Sequence, residues 1–381
     1  DEVRARLTGN LGALPVIVGL VIIWAVFQTL NPSFLSPDNL VNLTLQCAAG
    51  GTIAIGVVLV LLLGQIDLSV GSVSGLAAAI LGVGLTQLGW ALPLAIALAL
   101  LTGVAIGLLY GVLYTRFGVP SFVITLAGLL GVLGLQLKVL GPTGSINLPY
   151  DSPIVQFAQS WFLPPYVAYA LAGLWAGGMF TSAVLRQRRR RRAGPSTSPL
   201  GWHAAKAGAL LALCVFGVAY LATDRGVGVM FVFFIVLVIV MDIVLTRTRW
   251  GREVYAVGGS VEAARRAGIR VNRVYISVFV LCSSFAVVGG LLAAGRLASV
   301  TLSSGGGDTN LNAIAAAVIG GTSLFGGRGS AWSALLGIAV IQSISNGLTL
   351  LNLDSSIRYM ITGAVLLLAV IIDSLARKSR A

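Results

Sequence analysis

Charge is scarce in this sequence. Only 10% of its 381 residues are Asp, Glu, Lys or Arg, against about 25% in soluble globular domains. Hydrophobic residues make up 57%, and the mean hydropathy is +0.95. That composition excludes an ordinary water-soluble fold and marks a polytopic membrane protein. Histidine occurs once, as His203 in a basic linker, and no metal-ligand or nucleophile cluster accompanies it. The three cysteines, Cys47, Cys214 and Cys282, are widely spaced in apolar surroundings. They form neither a disulfide framework nor a metal-binding spacing, so they read as small packing residues. No lysine follows a glycine anywhere. The phosphate-cradling G-x-x-x-x-G-K-[ST] loop is therefore absent, which excludes ATP hydrolysis by that route, and no catalytic constellation or metal site is expected.

Long apolar runs are what the chain has instead. A crossing needs about 20 mostly apolar residues. Candidates fall at 11–30, 41–63, 68–86, 92–114, 119–139, 166–185, 207–222, 228–246, 275–298, 309–321, 331–350 and 357–375. These predict an all-α polytopic bundle of about 12 crossings, the tenth short and bounded by glycine. An even number puts both termini on one side. With that side cytoplasmic, 21 of the 25 Lys and Arg lie inside, and only Lys138, Arg225, Arg296 and Arg358 fall at outside ends. Positively charged loops face the cytoplasm, so topology accounts for the net charge of +13 without nucleic acid. The first run lacks an A-x-A-like cleavage site and reads as a crossing, not a removed signal peptide.

The inside loops are of two kinds. Residues 186–206 hold an arginine run followed by Pro, Ser and Gly, the composition of a disordered linker that anchors topology and attracts anionic lipid. Residues 247–274 are different because their residues are arranged. In "YAVGGSVEAARRAGI" (255–269) a short helix is predicted over 260–268. Ser260 caps it, Glu262 sits in the first turn, Arg265 and Arg266 sit in the last, and Gly268 closes it in a left-handed conformation. The charges agree with the helix dipole at both ends. Two turns are marginal alone, so the helix needs a docking surface, and its small face, Ala263, Ala264 and Ala267, admits close approach to a groove in another protein. An interfacial connector is the simpler alternative.

"EAARRAG" resembles the EAA-x3-G cytoplasmic loop of permease subunits in ATP-binding-cassette importers. "GQIDLSVGSVSGL" (64–76), "GVPSFVITLAGLLG" (118–131) and "AAAVIGGTSLFGGRGS" (315–330) extend the resemblance to the monosaccharide branch over nearly the whole chain. An extra pair of crossings, at 166–185 and 207–222, interrupts the usual ten-crossing core, which is most similar to xylose permeases. The resemblance implies one permease domain over 1–381 in a bacterial cytoplasmic membrane, with both termini cytoplasmic and surrounded by the lipid bilayer. It also implies a second permease copy as homodimer partner and an extracytoplasmic binding protein that delivers a monosaccharide, a pentose with xylose favoured. The chain is then no enzyme: ATP and Mg belong to a separate ATPase subunit, and no cofactor belongs to this chain. Ser260, Glu262, Ala263, Ala264, Arg265 and Gly268 would contact that ATPase as a coupling helix.

An ion-coupled carrier is the rival class, since such carriers place ionisable groups inside the membrane. Asp67 is the main candidate; Asp242 and Asp373 lie near cytoplasmic helix ends, beside arginines. Asp67 has two readings. In one, "GQID" is a tight turn and Asp67 or Ser69 caps the next helix. In the other, a broken helix turns its amides and the hydroxyls of Ser69, Ser72 and Ser74 to the substrate path, because irregular backbone is tolerated where it lines a cavity. "GGTSLFGGRGS" likewise reads as a turn or a discontinuous helix. Gln46, Asn312, Gln342 and Asn346 are polar residues in apolar runs, suited to helix-to-helix hydrogen bonds or to substrate. The candidate pathway is thus Asp67, Ser69, Ser72, Asn312, Gln342 and Asn346.

Overall fold

A backbone amide in hydrocarbon must find its partner within its own segment, and the long apolar runs among the described residues accordingly fold as helices. The computed structural model describes residues 14–191, 200–306, 308–357, 359–364, 367 and 371. The elements are α1 (Leu14–Leu30), α2 (Pro37–Leu62), α3 (Val70–Thr86), α4 (Leu92–Phe117), α5 (Ser121–Leu140), β1 (Ser145–Asn147), α6 (Pro153–Gln159) and α7 (Pro165–Arg191). There follow α8 (Leu200–Leu221), α9 (Val229–Arg247), α10 (Arg249–Gly259), α11 (Val261–Arg266), α12 (Val271–Leu297), β2 (Ser299–Thr301), α13 (Asp308–Ile319) and α14 (Ala331–Leu350). Among the described residues, eight helices are long and apolar enough to cross a membrane. The apolar helices α1 and α3, with 17 residues each, are shorter, and the expected crossing at 357–375 lies largely outside the described residues.

The best-capped of these helices lies at the centre. Ser36 accepts the Asn39 amide at 3.4 Å, Pro37 opens α2, and Asp38 sits in its first turn. At 26 residues α2 is about 39 Å long, and its residues from Gly51 to Leu62 are all buried. Around it pack α9, α12, α13 and α14. On the far side of α12, Gly103, Gly107 and Gly111 of α4 form a small-residue stripe at every fourth position. A Cβ at Gly107 would lie 2.6 Å from the Phe279 carbonyl oxygen, and one at Gly111 would lie 2.7 Å from the Ile276 Cα. Close approach of this kind replaces the hydrophobic drive that lipid removes. Asn39 and Asn346 exchange amide hydrogen bonds of 2.8 and 2.9 Å between α2 and α14, a pairing worth about 1 kcal/mol in a membrane interior.

Three features depart from the runs read in the sequence. Strands β1 and β2 pair antiparallel, Ile146 opposite Val300, after Ala298 ends α12 in a left-handed turn at φ 49°. α6 is only seven residues long, and α10 is amphipathic, with Val254 and Val257 buried and Arg252 exposed. Elements this short leave no trace in a window of about 20 apolar residues. The expected linker is shorter than 186–206, because α7 continues to Arg191 and α8 begins at Leu200; arginine and glutamine are good helix formers. Residues 192–199 lie outside the described residues.

Candidate functional site

α2, α12, α13 and α14 border an open-sided cavity of about 360 Å³ whose polar lining includes Gln46, Arg296, Asp308, Thr309, Asn312, Gln342 and Ser345. The volume falls within the range of about 300–1,000 Å³ that small-molecule sites occupy. Among the described residues, the side chains of Gln46, Arg296, Asp308, Asn312 and Gln342 make no hydrogen bond or ion pair. Polar groups on apolar helices ordinarily bond a neighbouring helix, as Asn39 and Asn346 do; groups left unpaired mark water or a ligand path. Gly50 keeps the cavity open, since a Cβ there would lie 3.0 Å from Ile338 Cδ1 and 3.3 Å from Gln342 Nε2. A neighbouring cavity of about 310 Å³ shares Asp308, Asn312 and Ser345 and reaches Tyr359. Another, of about 620 Å³, shares Arg296 and is walled by Asn42, Gln159, Phe162 and Arg225.

Of the pathway residues proposed from sequence, Asn312 and Gln342 meet in the first cavity, together with Gln46. Asn346 is paired with Asn39 instead. Asp67, Ser69 and Ser72 lie elsewhere and are buried. Asp67 is 1% exposed; its Oδ1 accepts the Ser69 amide at 2.8 Å and the Ser69 hydroxyl at 2.7 Å, and its Oδ2 accepts the Cys282 thiol at 3.7 Å. Ser72 donates to the Leu129 carbonyl at 2.9 Å, and Ser69 makes no side-chain cap. Cys282 is mid-helix in α12, so the non-helical segment 63–69 runs into the bundle and α3 begins there. This is the geometry of a broken helix, but its hydroxyls turn to their neighbours and not into the cavity. The buried amide of Gly71, in the first turn of α3, finds a partner on another helix, donating to Asn310 Oδ1 at 2.5 Å. Asn310 therefore caps α3 from α13, which carries Asp308 and Asn312 into the cavity.

At the far end of α2 stands the segment that the charge pattern singled out. Ser260 Oγ accepts the Ala263 amide at 3.3 Å and caps α11. At the other end Ile269 donates to Ala264 O at 3.0 Å and Gly268 to Arg265 O at 2.9 Å, a Schellman closure with Gly268 at φ 77°. Glu262, Ala263, Arg265 and Ala267 are exposed. Ala264 turns inward and is 3% exposed, so the small face available to a partner is Ala263 and Ala267. Just before α11, a Cβ on Gly258 would overlap the Leu62 carbonyl oxygen and lie 2.9 Å from the Gly327 amide nitrogen. That amide donates to Leu62 O at 2.9 Å, and the Tyr255 hydroxyl donates to Gly329 O at 2.8 Å. Burial, and then the Asp242 carboxylate, raise the Tyr255 phenol above its usual range, which keeps it a neutral donor. α10, the 320–330 loop and the end of α2 thus form one backbone-to-backbone junction.

Residues 39–370 match the family described as branched-chain amino acid transport system / permease component. The chain belongs to this family. Similar proteins include the xylose transport system permease protein of Escherichia coli K12, 35% identical over 371 residues, or 97% of this chain and 93% of that protein. The protein of the same description from Haemophilus influenzae Rd is 32% identical, covering 97% of this chain and 98% of that protein. The ribose import permease protein of Escherichia coli K12 is 30% identical over 362 residues, 94% of this chain and 92% of that protein. No solved structure matches. The chain is accordingly a membrane permease component and not an enzyme.

Several residues of this permease escaped the sequence reading. Arg296 counted there as a charge at an outside end and Asp308 carried no role, yet both line the cavity. The clue for Arg296 was its place inside the apolar run 275–298, two residues before its end. Asn310 and Gly258 left no such mark, because their roles depend on backbone groups far away in sequence.

Proposed function

We propose that the chain forms the translocation path of an ATP-binding-cassette importer for a monosaccharide, a pentose with xylose favoured. Its relatives are named for xylose and ribose, and the cavity's ring of unpaired amides, a guanidinium and a carboxylate suits a molecule covered in hydroxyls. That ring, set in otherwise apolar helices, is the observation that carries the function. In this arrangement the end bearing α10 and α11 is cytoplasmic, as are both termini, and α11 with its cap residues is the coupling helix. A separate ATPase subunit docks on it and holds ATP and Mg. A soluble binding protein delivers sugar at the opposite end, and two permease copies form the path in the bacterial cytoplasmic membrane.

Reconstitution in liposomes with the ATPase and binding protein tests this. Xylose should enter in an ATP-dependent manner and ahead of ribose, arabinose and galactose, and entry should survive an uncoupler while ATP is held constant. Uptake that collapses with the ion gradient would instead identify an ion-coupled carrier.

The coupling segment has its own test. Gly268→Val meets open space, with nothing within 4 Å of the added Cβ, so its only cost is backbone strain, about 1–2 kcal/mol for a side chain in the left-handed region. A helix of six residues has little else to hold its end. Sugar-stimulated hydrolysis should fall about 5- to 30-fold while insertion and purification yield stay normal. Glu262→Lys should cause a smaller loss, by placing positive charge at the positive helix end. Wild-type coupling in both variants would leave α11 as a plain connector.

A further inference from the structure

Arg296 is one of the four basic residues that the charge pattern leaves at outside ends. We propose, resting on the transport function above, that its guanidinium is the specificity-determining donor to the hydroxyls of a neutral monosaccharide at the junction of two cavities. Arg296 lines both the cavity of about 620 Å³ and that of about 360 Å³, so it stands where the two meet.

The backbone beneath it is fixed. Its carbonyl accepts Gln159 Nε2 at 2.8 Å, and a Cβ on the preceding Gly295 would lie 2.7 Å from the Ile154 carbonyl oxygen. The guanidinium, by contrast, has no hydrogen bond or ion pair among the described residues. Arg225, the other cation of the larger cavity, is already engaged by two carboxylates and an amide: it bonds Asp38 at 2.9 Å, Asp224 at 3.1 Å and Asn42 at 2.9 Å. Among the described residues that line the two cavities, Arg296 is therefore the cation without a side-chain partner.

A guanidinium has five N–H donors and no acceptor, and its planar fork grips two oxygens at once. Only a ligand offering acceptor oxygens satisfies it. Asp308 lines the same smaller cavity without pairing with Arg296. An anion drawn by the arginine would meet that carboxylate, and a cation drawn by the carboxylate would meet the arginine. A neutral polyol escapes both conflicts, because each hydroxyl donates and accepts; Gln46 and Gln342 add donors and acceptors in the same space. A site built to bond a hydroxyl discriminates against an analogue that lacks it, since the site's own group is then left unpaired.

The test uses the full complex with its ATPase and binding protein in liposomes. Xylose and its monodeoxy analogues are each supplied at concentrations that saturate the binding protein. In the wild type, at least one deoxy analogue should move about tenfold more slowly than xylose. Arg296→Gln should slow xylose to that analogue's rate and slow the analogue no further. The concentration of liganded binding protein giving half-maximal rate should stay unchanged. Arg296→Lys, which keeps the charge without the fork, should retain part of the xylose rate but lose the hydroxyl discrimination. Equal slowing of every sugar in Arg296→Gln would assign Arg296 a structural role and overturn the proposal, as would wild-type discrimination in either variant. Should the glutamine variant fail to assemble, the lysine variant decides by the same comparison. A wild-type complex that moves no sugar would remove the transport function itself, an outcome separate from a working transporter indifferent to Arg296.

Discussion

Gly258→Val should uncouple ATP hydrolysis from uptake. Its Cβ has nowhere to go: it overlaps the Leu62 carbonyl oxygen and presses on the amide of Gly327. These are backbone atoms, which cannot rotate aside as a flexible side chain can. Forcing in the extra methyl groups displaces α10 from the end of α2 and from the 320–330 loop, an overpacking cost of about 1–3 kcal/mol. Spent on the junction that joins α11 to the transmembrane helices, this is about 5- to 150-fold in coupling. Gly259 is the control. Nothing lies within 4 Å of a Cβ there, so Gly259→Ala should couple as the wild type does. Sugar-stimulated hydrolysis and uptake, measured together in liposomes, separate the two. Equal behaviour of the neighbouring variants would show that the Gly258 contact carries no motion.

Gly50→Leu should stop uptake while leaving ATPase association intact. The first carbon of the new side chain already touches Ile338 Cδ1 at 3.0 Å and Gln342 Nε2 at 3.3 Å, and the rest extends into the cavity that Gln46 and Asn312 line. Both nearest atoms are side-chain ends that can yield, so the bundle should tolerate the change better than one at Gly258. The path should not, because the remaining volume loses both its width and the free amide of Gln342. Gly50→Ala should fall between, with uptake reduced about tenfold at most, as one displaced hydrogen-bonding group costs about 1 kcal/mol. Gly131, on α5, serves as reference, having nothing within 4 Å. If Gly50→Leu transports normally with the protein correctly inserted, the substrate goes elsewhere.

The chain's own chemistry was enough to reveal α11. Ser260 and Gly268 act through bonds to residues at most five positions away, and local bonds of that kind are written in local sequence. The long helices were legible for a similar reason: a run of about 20 apolar residues in hydrocarbon has no alternative to satisfying its own backbone. Asp67 was legible only as a question. Its spacing from the flanking runs allowed a turn at the surface or a break inside the bundle, and only the thiol of Cys282, 215 positions away, placed it inside. The same holds for Asn346, which looked like any polar residue on an apolar helix until Asn39 was found opposite.

The sequence alone determined the class of this protein, its long helices and the capped segment at 260–268, because composition, periodicity and capping act over a few turns of one chain segment. Only the tertiary structure decided which polar groups are spent on one another and which remain free. Asn39 takes up Asn346, Asp38 and Asp224 take up Arg225, and Asn310 takes up the amide of Gly71, while Gln46, Arg296, Asp308, Asn312 and Gln342 are left facing one space. Whether a hydrogen-bonding group is satisfied depends on what stands within about 3 Å of it, and in a bundle of long helices that neighbour comes from a helix hundreds of residues away.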